Sequence, residues 1–382
     1  MNRIYLDNAA TTPIDKEVIA EMTKVMETYY GNPSSIHAQG REVRTLIERA
    51  RKSVSSLINA SPAEVFFTSG GTEADNTAIR CGIQAFQIKH AITSKIEHHA
   101  VEHTLEMLLK QGVIDKLSFV NVDSKGNVDY DHLEELLKNN ERSFVSLMHA
   151  NNELGTLTDM IKVGDLCEKY DAIYHADTVQ TMGHYKHDVR ALKAHFLVCS
   201  AHKLHGPKGI GFLFVNSNIK ISPMIFGGAQ ERNMRGGTEN VYGIVGLAKA
   251  LEMAYSEMEA HQNHIQHLKD YLKNRLIEEI EDIAFNGETD ADKSLYTVLN
   301  VSFPAMDMGD MLLFNLDING ISASGGSACS SGSNIGSHVL TGIGADSNRP
   351  SVRFSFSKYN TTEELDKVVE EVKKIVAQNV GV

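Results

Sequence analysis

Ser200-Ala201-His202-Lys203 sets a primary amine directly after Phe196–Ser200, an apolar run of strand length. Open α/β sheets bind ligands at such strand ends. A lone lysine is ordinarily a solvated surface residue. Here Ser200 and His202 can hydrogen-bond a phosphate, and Gly206-Pro207-Lys208-Gly209 forms a rigid loop beyond. A Schiff-base lysine of a pyridoxal-phosphate (PLP) enzyme needs this setting: an amine on a fixed strand end with phosphate donors beside it.

Upstream, His175-Ala176-Asp177 alternates so that His175 and Asp177 share one side of a strand. PLP chemistry calls for a carboxylate against the pyridine nitrogen, which keeps the ring an electron acceptor. Asp177 suits that role, and Gln180 could donate to the ring's 3-oxygen. The plain alternative is an Asp that caps the next helix. Ser69-Gly70-Gly71-Thr72-Glu73 follows a strand and opens a helix. Small residues there let backbone N–H groups approach a phosphate, and Thr72 adds a hydroxyl. The GxxxxGK[ST] spacing is absent, which counts against a nucleotide triphosphatase.

Glu97-His98-His99-Ala100 lies where a strand yields to a helix, so a histidine there could stack on a cofactor ring and exchange protons. His99 and His103 are spaced for a metal, but HExxH fails because position 100 is Ala, and no metal site is expected. Asn151-Asn152-Glu153 follows another strand. Arg353, flanked by apolar residues, needs an anionic partner if buried: a substrate α-carboxylate, or a structural salt bridge. Finally, Ser322–Ser333 reads SASGGSACSSGS. A Ser/Gly run is expected to be mobile and exposed, so Cys329 is a thiol poised for chemistry unless its exposure is incidental. The other cysteines, Cys81, Cys167 and Cys199, sit in helical or apolar surroundings and read as packing residues.

These residues must be carried by a large scaffold. The 382 residues allow two to three domains. Strand-like runs at Glu64–Thr68, His90–Ser94, Phe119–Val122, Phe144–His149, Ala172–Ala176, Phe196–Ser200 and Gly211–Val215 alternate with helical stretches such as Tyr130–Asn139 and Val163–Tyr170. That alternation predicts an α/β fold with a mainly parallel sheet. Near Ala248 the pattern changes to one long helical stretch reaching about Glu281. Val298–Phe303, Val352–Ser357 and a helix over Thr362–Ala377 follow and read as a smaller α+β domain. Net charge is −12, with no basic block, so nucleic acid binding is disfavoured. No run of membrane-spanning length and no signal-peptide core occurs, and a cytoplasmic protein is expected.

Taken in order, these motifs resemble the cysteine desulfurases, PLP enzymes of the aspartate-aminotransferase fold type (PLP-dependent transferase fold type I). The resemblance runs from Tyr5-Leu6-Asp7-Asn8-Ala9-Ala10-Thr11-Thr12 to the final helix. It takes in Gly31-Asn32-Pro33-Ser34-Ser35, HANNELG from His149, SAHKLHGPKGIG from Ser200, GGAQERNMRGGTEN from Gly227, and SGGSACSSGS. It implies a large PLP-binding domain over 13–255 and a small domain of 1–12 with 256–382. It further implies Lys203 as the cofactor-bearing lysine, and His98, rather than His99, as the ring-stacking and catalytic histidine. Asp177 and Gln180 would meet the ring, and Gly71, Thr72, Ser200 and His202 the phosphate. Thr238 would reach the phosphate from the partner subunit of a homodimer. Asn152 and Arg353 would clamp the substrate carboxylate, with Cys329 as sulfur acceptor on a long flexible loop.

The implied activity converts L-cysteine to L-alanine and passes persulfide sulfur to an acceptor or scaffold protein, as in iron–sulfur cluster or other sulfur-cofactor biosynthesis. A selenocysteine lyase or an aminotransferase on the same scaffold are the rivals. Departures from the family pattern are Thr178 after the Asp, Gly237 before Thr238, and Gly326 in the Cys loop. None removes a group the chemistry needs.

Overall fold

A computed structural model describes residues 3–306, 309–325 and 336–379. Cys329, Gly326 and most of the Ser/Gly run lie outside the described residues. The central sheet has seven strands: β2 (Val65–Thr68), β3 (His90–Thr93), β4 (Lys116–Phe119), β5 (Ser143–Ser146), β6 (Ile173–Ala176), β7 (Phe196–Ser200) and β8 (Gly211–Val215), with β1 (Ile4–Tyr5) elsewhere. Their order is β2-β8-β7-β6-β5-β3-β4, and β8 alone runs antiparallel to both its neighbours. The parallel strands β3, β5, β6 and β7 are almost wholly buried. Covering both faces with helices explains why these strands are buried at every position rather than at alternate ones.

Helices α1 (Lys16–Thr28), α2 (Ala38–Leu57), α3 (Gly71–Phe86), α4 (His99–Lys110), α5 (Tyr130–Lys138), α6 (Met160–Lys169) and α7 (Val241–Ser256) supply that cover. One core packs α1, α2, α6 and α7 against one face; a second packs α3 and α4 against the other. A third core belongs to the rest of the chain. It joins α8 (Met258–Glu279), α9 (Leu312–Ile318) and α11 (Thr362–Asn379) to a sheet of β9 (Ala284–Asn286), β10 (Val298–Ser302) and β12 (Ser351–Ser355). Ile4 and Leu6 are buried in this third core, and β1 pairs in parallel with β11 (Ile321–Ser322). These separate cores support the proposed division into 13–255 and 1–12 with 256–382.

Two expectations are corrected. The stretch expected as one helix from Ala248 breaks at Glu257, which ends α7 with φ −110° and starts α8. The strand expected at Phe119–Val122 lies instead at Lys116–Phe119, because it is the sheet edge and only half buried, so its residues are not the most apolar ones. Val122 forms an isolated bridge to Val128.

Candidate active site

The C-terminal ends of β5, β6 and β7 open onto a cavity of about 270 Å³. It gathers His98, Asn152, Asp177, Gln180, Ser200, His202, Lys203, Arg353, Gly71 and Thr72 from six separate stretches of sequence. A shallower continuation is lined by Gly70, Gly71, Thr72, Ser200, His202 and Lys208.

Lys203 sits on a turn of 3-10 helix, Ala201–Lys203, immediately after β7. Its Nζ donates to the carbonyls of Ala9 and Ala10. The N-terminal segment is thus a wall of the site. It is latched there by Thr12, whose N–H and hydroxyl both reach His202 O (2.9 and 3.0 Å), and by Gln180 Nε2, which donates to Ala9 O at 3.1 Å.

Asp177 follows β6 and is buried; its Oδ1 accepts from Val179 N–H at 2.8 Å. The helix cap weighed as its plain role is absent, because the residues after Asp177 form turns and no helix before β7; the bond to Val179 closes one such turn while Asp177 lines the cavity. Burial pushes the Asp177 carboxyl above its ordinary range, against the pull of His98 and then Lys203. A buried carboxylate in that condition gains from a cationic N–H opposite it, as a pyridinium would supply. Thr178, a departure from the family pattern, buries its hydroxyl by donating to Val198 O at 2.6 Å.

His98 caps α4: its Nδ1 accepts from Ala100 N–H at 3.1 Å. Burial lowers its pKa, so the ring is neutral near pH 7. With the Nδ1 lone pair occupied, the proton must sit on Nε2, which makes His98 a donor at neutral pH. The start of α3 suits a phosphate. Gly70 has φ +149°, which favours glycine, and a Cβ on Gly71 would meet Val179 Cγ2 at 2.8 Å. Among the described residues no side chain caps this 16-residue helix, so its first N–H groups are left for an anion. Ser200, Thr72 and His202 add side-chain donors, and burial lowers the His202 pKa to about 4. This donor set, the bare helix end and the buried Asp177 fit PLP.

Arg353 on β12 is 1% exposed in its side chain and bonds Asp7 Oδ1 at 2.8 Å and Asn152 O at 2.9 Å. Among the described residues its Nε has no partner. The structural salt bridge weighed as an alternative is therefore real, yet donors remain among the five a guanidinium carries. Thr238 does not line the Lys203 cavity of its own chain; it is exposed on a neighbouring pocket before α7. Cys81, Cys167 and Cys199 are buried, and burial raises the pKa of each thiol.

The chain leading to Cys329 departs beside Arg353: Arg353 N donates to Ser324 O at 2.7 Å and Ser324 N to Arg353 O at 3.2 Å. It returns at α10 (His338–Gly342), where the Ser337 hydroxyl donates to Glu153 and His338 Nε2 meets Glu97 O at 2.9 Å. Both anchors of 326–335 therefore contact residues of the cavity rim or their immediate neighbours.

Two residues that bear on the site were missed in the sequence, one in the cavity lining and one behind it. Asp75 lies one turn beyond Thr72 on α3, and that spacing was the available signal. Its Oδ1 is 3.3 Å from His175 Nε2, while His175 Nδ1 meets Ser146 Oγ at 2.8 Å. Burial raises Asp75 and lowers His175 to about 3, so the contact is a neutral pair rather than an ion pair. Asp7, the partner of Arg353, was readable only as an acid inside an apolar start.

Fold and cavity together define a PLP enzyme of the aminotransferase kind. The family model described as aminotransferase class-V matches residues 4–368. The "Cysteine desulfurase IscS" of Dictyoglomus turgidum is 42% identical over 98% of this chain and 94% of its own length. The "Putative cysteine desulfurase IscS 1" of Bacillus subtilis is 41% identical over 98% and 99%. A solved structure called a NifS-like protein superposes with a TM-score of 0.90 at 36% identity, over 98% of this chain and 100% of that one. The chain belongs to the cysteine desulfurase family of the class-V aminotransferases. Among the described residues no helix is long and apolar enough to cross a membrane.

Proposed function

We propose that this protein is a cysteine desulfurase that takes sulfur from L-cysteine, releases L-alanine, and holds the sulfur as a persulfide on Cys329 for an acceptor protein. The observation that carries this reading is the cavity itself: amine, buried carboxyl and neutral histidine converge between the two anchors of the segment bearing Cys329. Lys203 would hold the cofactor's aldehyde carbon, Asp177 and Gln180 its ring, and Gly71, Thr72, Ser200 and His202 its phosphate. Bound PLP supplies an electron sink for the electron pair released at the substrate Cα.

The chain's own groups do the rest. Arg353 and Asn152 bind the substrate carboxylate. Lys203 Nζ, once released from the cofactor, is the base for the Cα proton. The Cys329 thiolate attacks the substrate sulfur; an S–S bond forms as the Cβ–S bond breaks, and a proton completes the methyl group of alanine. His98 Nε2–H is the donor at hand for a departing or arriving proton. Cys329 lies four positions after Gly325, an extended reach of about 13 Å, which is compatible with entry from the Arg353 side. A cytoplasmic homodimer completes the reading, with Thr238 serving the partner's cavity. Exposed Ile36 (89%) and Phe226 (80%) are apolar surface that such a dimer could cover.

The test is product analysis. Wild-type protein with cysteine yields alanine and a protein-bound persulfide. Cys329→Ser keeps the cofactor's visible absorbance and loses both products. Alanine release by Cys329→Ser at the wild-type rate would favour a lyase that works without a cysteine nucleophile, as a selenocysteine lyase could, and a keto acid product would indicate an aminotransferase.

A further inference from the structure

A group of imidazoles stands beside the cavity without lining it. His99 opens α4, Glu102 lies one turn on, and His338 opens α10. His99 Nδ1, a Glu102 carboxylate oxygen and a His338 ring nitrogen lie within 4.8 Å of one another. His99 Nδ1 is buried, has no hydrogen-bond partner among the described residues, and sits 3.4 Å from Glu102 Oε2. His338 Nε2 is 3.8 Å from the same oxygen. The His103 ring stacks on His99 at 4.5 Å between centroids, and His338 faces it at 4.2 Å.

We propose that His99, Glu102 and His338 form a binding site for a divalent transition-metal ion of the zinc class. Two imidazoles and a carboxylate match zinc's preferences, whereas calcium and magnesium take oxygen ligands. Tetrahedral bonds of about 2.1 Å put neighbouring ligand atoms about 3.4 Å apart. The His99–Glu102 separation of 3.4 Å already meets that; His338 Nε2 is 3.8 Å from the Glu102 oxygen and the three ligand atoms lie within 4.8 Å of one another, so the partly exposed side chains must draw together to bind the ion.

Ligand histidines must be neutral. His99 Nδ1 has no hydrogen-bond partner to give up among the described residues. His338 Nε2 must exchange its contact with the Glu97 carbonyl for the metal, its proton then resting on Nδ1. A water takes the fourth position, as in sites with three protein ligands. His103, stacked face to face with His99, steadies the ring and is not a ligand. The bound ion would tie the first turn of α4, next to His98, to the chain returning from 326–335. The site stands on geometry independent of the desulfurase reading.

The test uses full-length holoenzyme carrying Cys329→Ser, so that this thiol takes no metal. Zinc is titrated against a chromophoric chelator, and cobalt(II) is followed by its visible spectrum. We expect one equivalent of zinc per chain held against the chelator, and cobalt bands of a four-coordinate nitrogen and oxygen site without thiolate charge transfer. His338→Ala and Glu102→Gln should each weaken binding by more than the roughly 10- to 100-fold that loss of an outer-shell partner costs. His103→Ala should weaken it less than either. Unchanged cofactor absorbance and metal-free melting temperature of His338→Ala verify that it folds. Absence of a bound equivalent, zinc binding unaltered in His338→Ala, or a cobalt spectrum showing thiolate ligation would overturn the assignment.

Discussion

Asp7→Asn probes whether Arg353 meets the substrate carboxylate. The substitution keeps an oxygen acceptor 2.8 Å from Arg353 Nη2 and removes the charge. Two unit charges about 4 Å apart at an effective dielectric of about 20 attract by about 4 kcal/mol. The Asp7 side chain is 22% exposed, and Asn retains the hydrogen bond, so the net loss should be smaller, about 1–3 kcal/mol. Each kcal/mol lowers the melting temperature by about 2–4 °C or less in a chain of this size. What remains is a guanidinium 1% exposed that has lost its ion-pair partner among the described residues. A carboxylate entering the cavity would supply the missing charge. L-Alanine should therefore raise the melting temperature of the Asp7→Asn holoenzyme by more than it raises that of wild type. Thermal unfolding over a series of L-alanine concentrations measures both shifts. Equal shifts in the two proteins would show that Arg353 does not face the ligand carboxylate, and the clamp would have to be sought elsewhere.

Lys203→Ala should lose borohydride-fixable cofactor, and Thr238→Ala should weaken cofactor retention. Mixed dimers of the two variants should regain activity through the one cavity that carries neither change; a failure to regain it, with mixed dimers verified, would refute the shared site. Burial holds the Glu97 carboxyl up at about 8, so it stays protonated in the fold while the unfolded chain ionises above about 4.5. This raised pKa gives wild type a stability term that is full below 4.5 and is lost as pH rises towards 8, by up to about 1.4 kcal/mol per pH unit. Glu97→Gln lacks that term, so its stability relative to wild type should rise from pH 5 to pH 8 in urea titrations; a constant difference would show that Glu97 is ionised in the fold.

Much of the site could be read from local sequence because its residues sit at strand ends. Phe196–Ser200 and Gly211–Val215 are strands with the expected bounds, and Lys203 follows the first of them directly. Such runs are buried on both faces, so composition alone marks them. The edge strand β4 carries no such mark and was displaced by several residues. Contacts between remote segments were less legible. Nothing in the spacing pairs Asp7 with Arg353 or sets Ala9 and Ala10 against Lys203, since those contacts exist only once two cores have docked. Asp75 went unread because its partner, His175, lies 100 positions away on another element. The His99 group shows the same limit from the other side: His103 was the spacing partner, whereas the fold brings up His338.

The wall formed by residues 7–12 has a consequence for how the enzyme is made. Ile4 pairs with Ile321, Asp7 bridges Ser355, and Ala9 N–H donates to Ser355 Oγ at 2.9 Å. The ribosome therefore releases these first residues long before it makes the ones that hold them. At about 5–20 residues per second, the interval is some tens of seconds. During it the central sheet and its helices can assemble and Thr12 and Gln180 can already latch residues 9–12, but Ile4–Asp7 lack the strands β11 and β12 that hold them. The Arg353 side of the pocket is thus the last to be completed, and a nascent chain stalled before β11 should emerge with an ordered sheet and a pocket that lacks that wall.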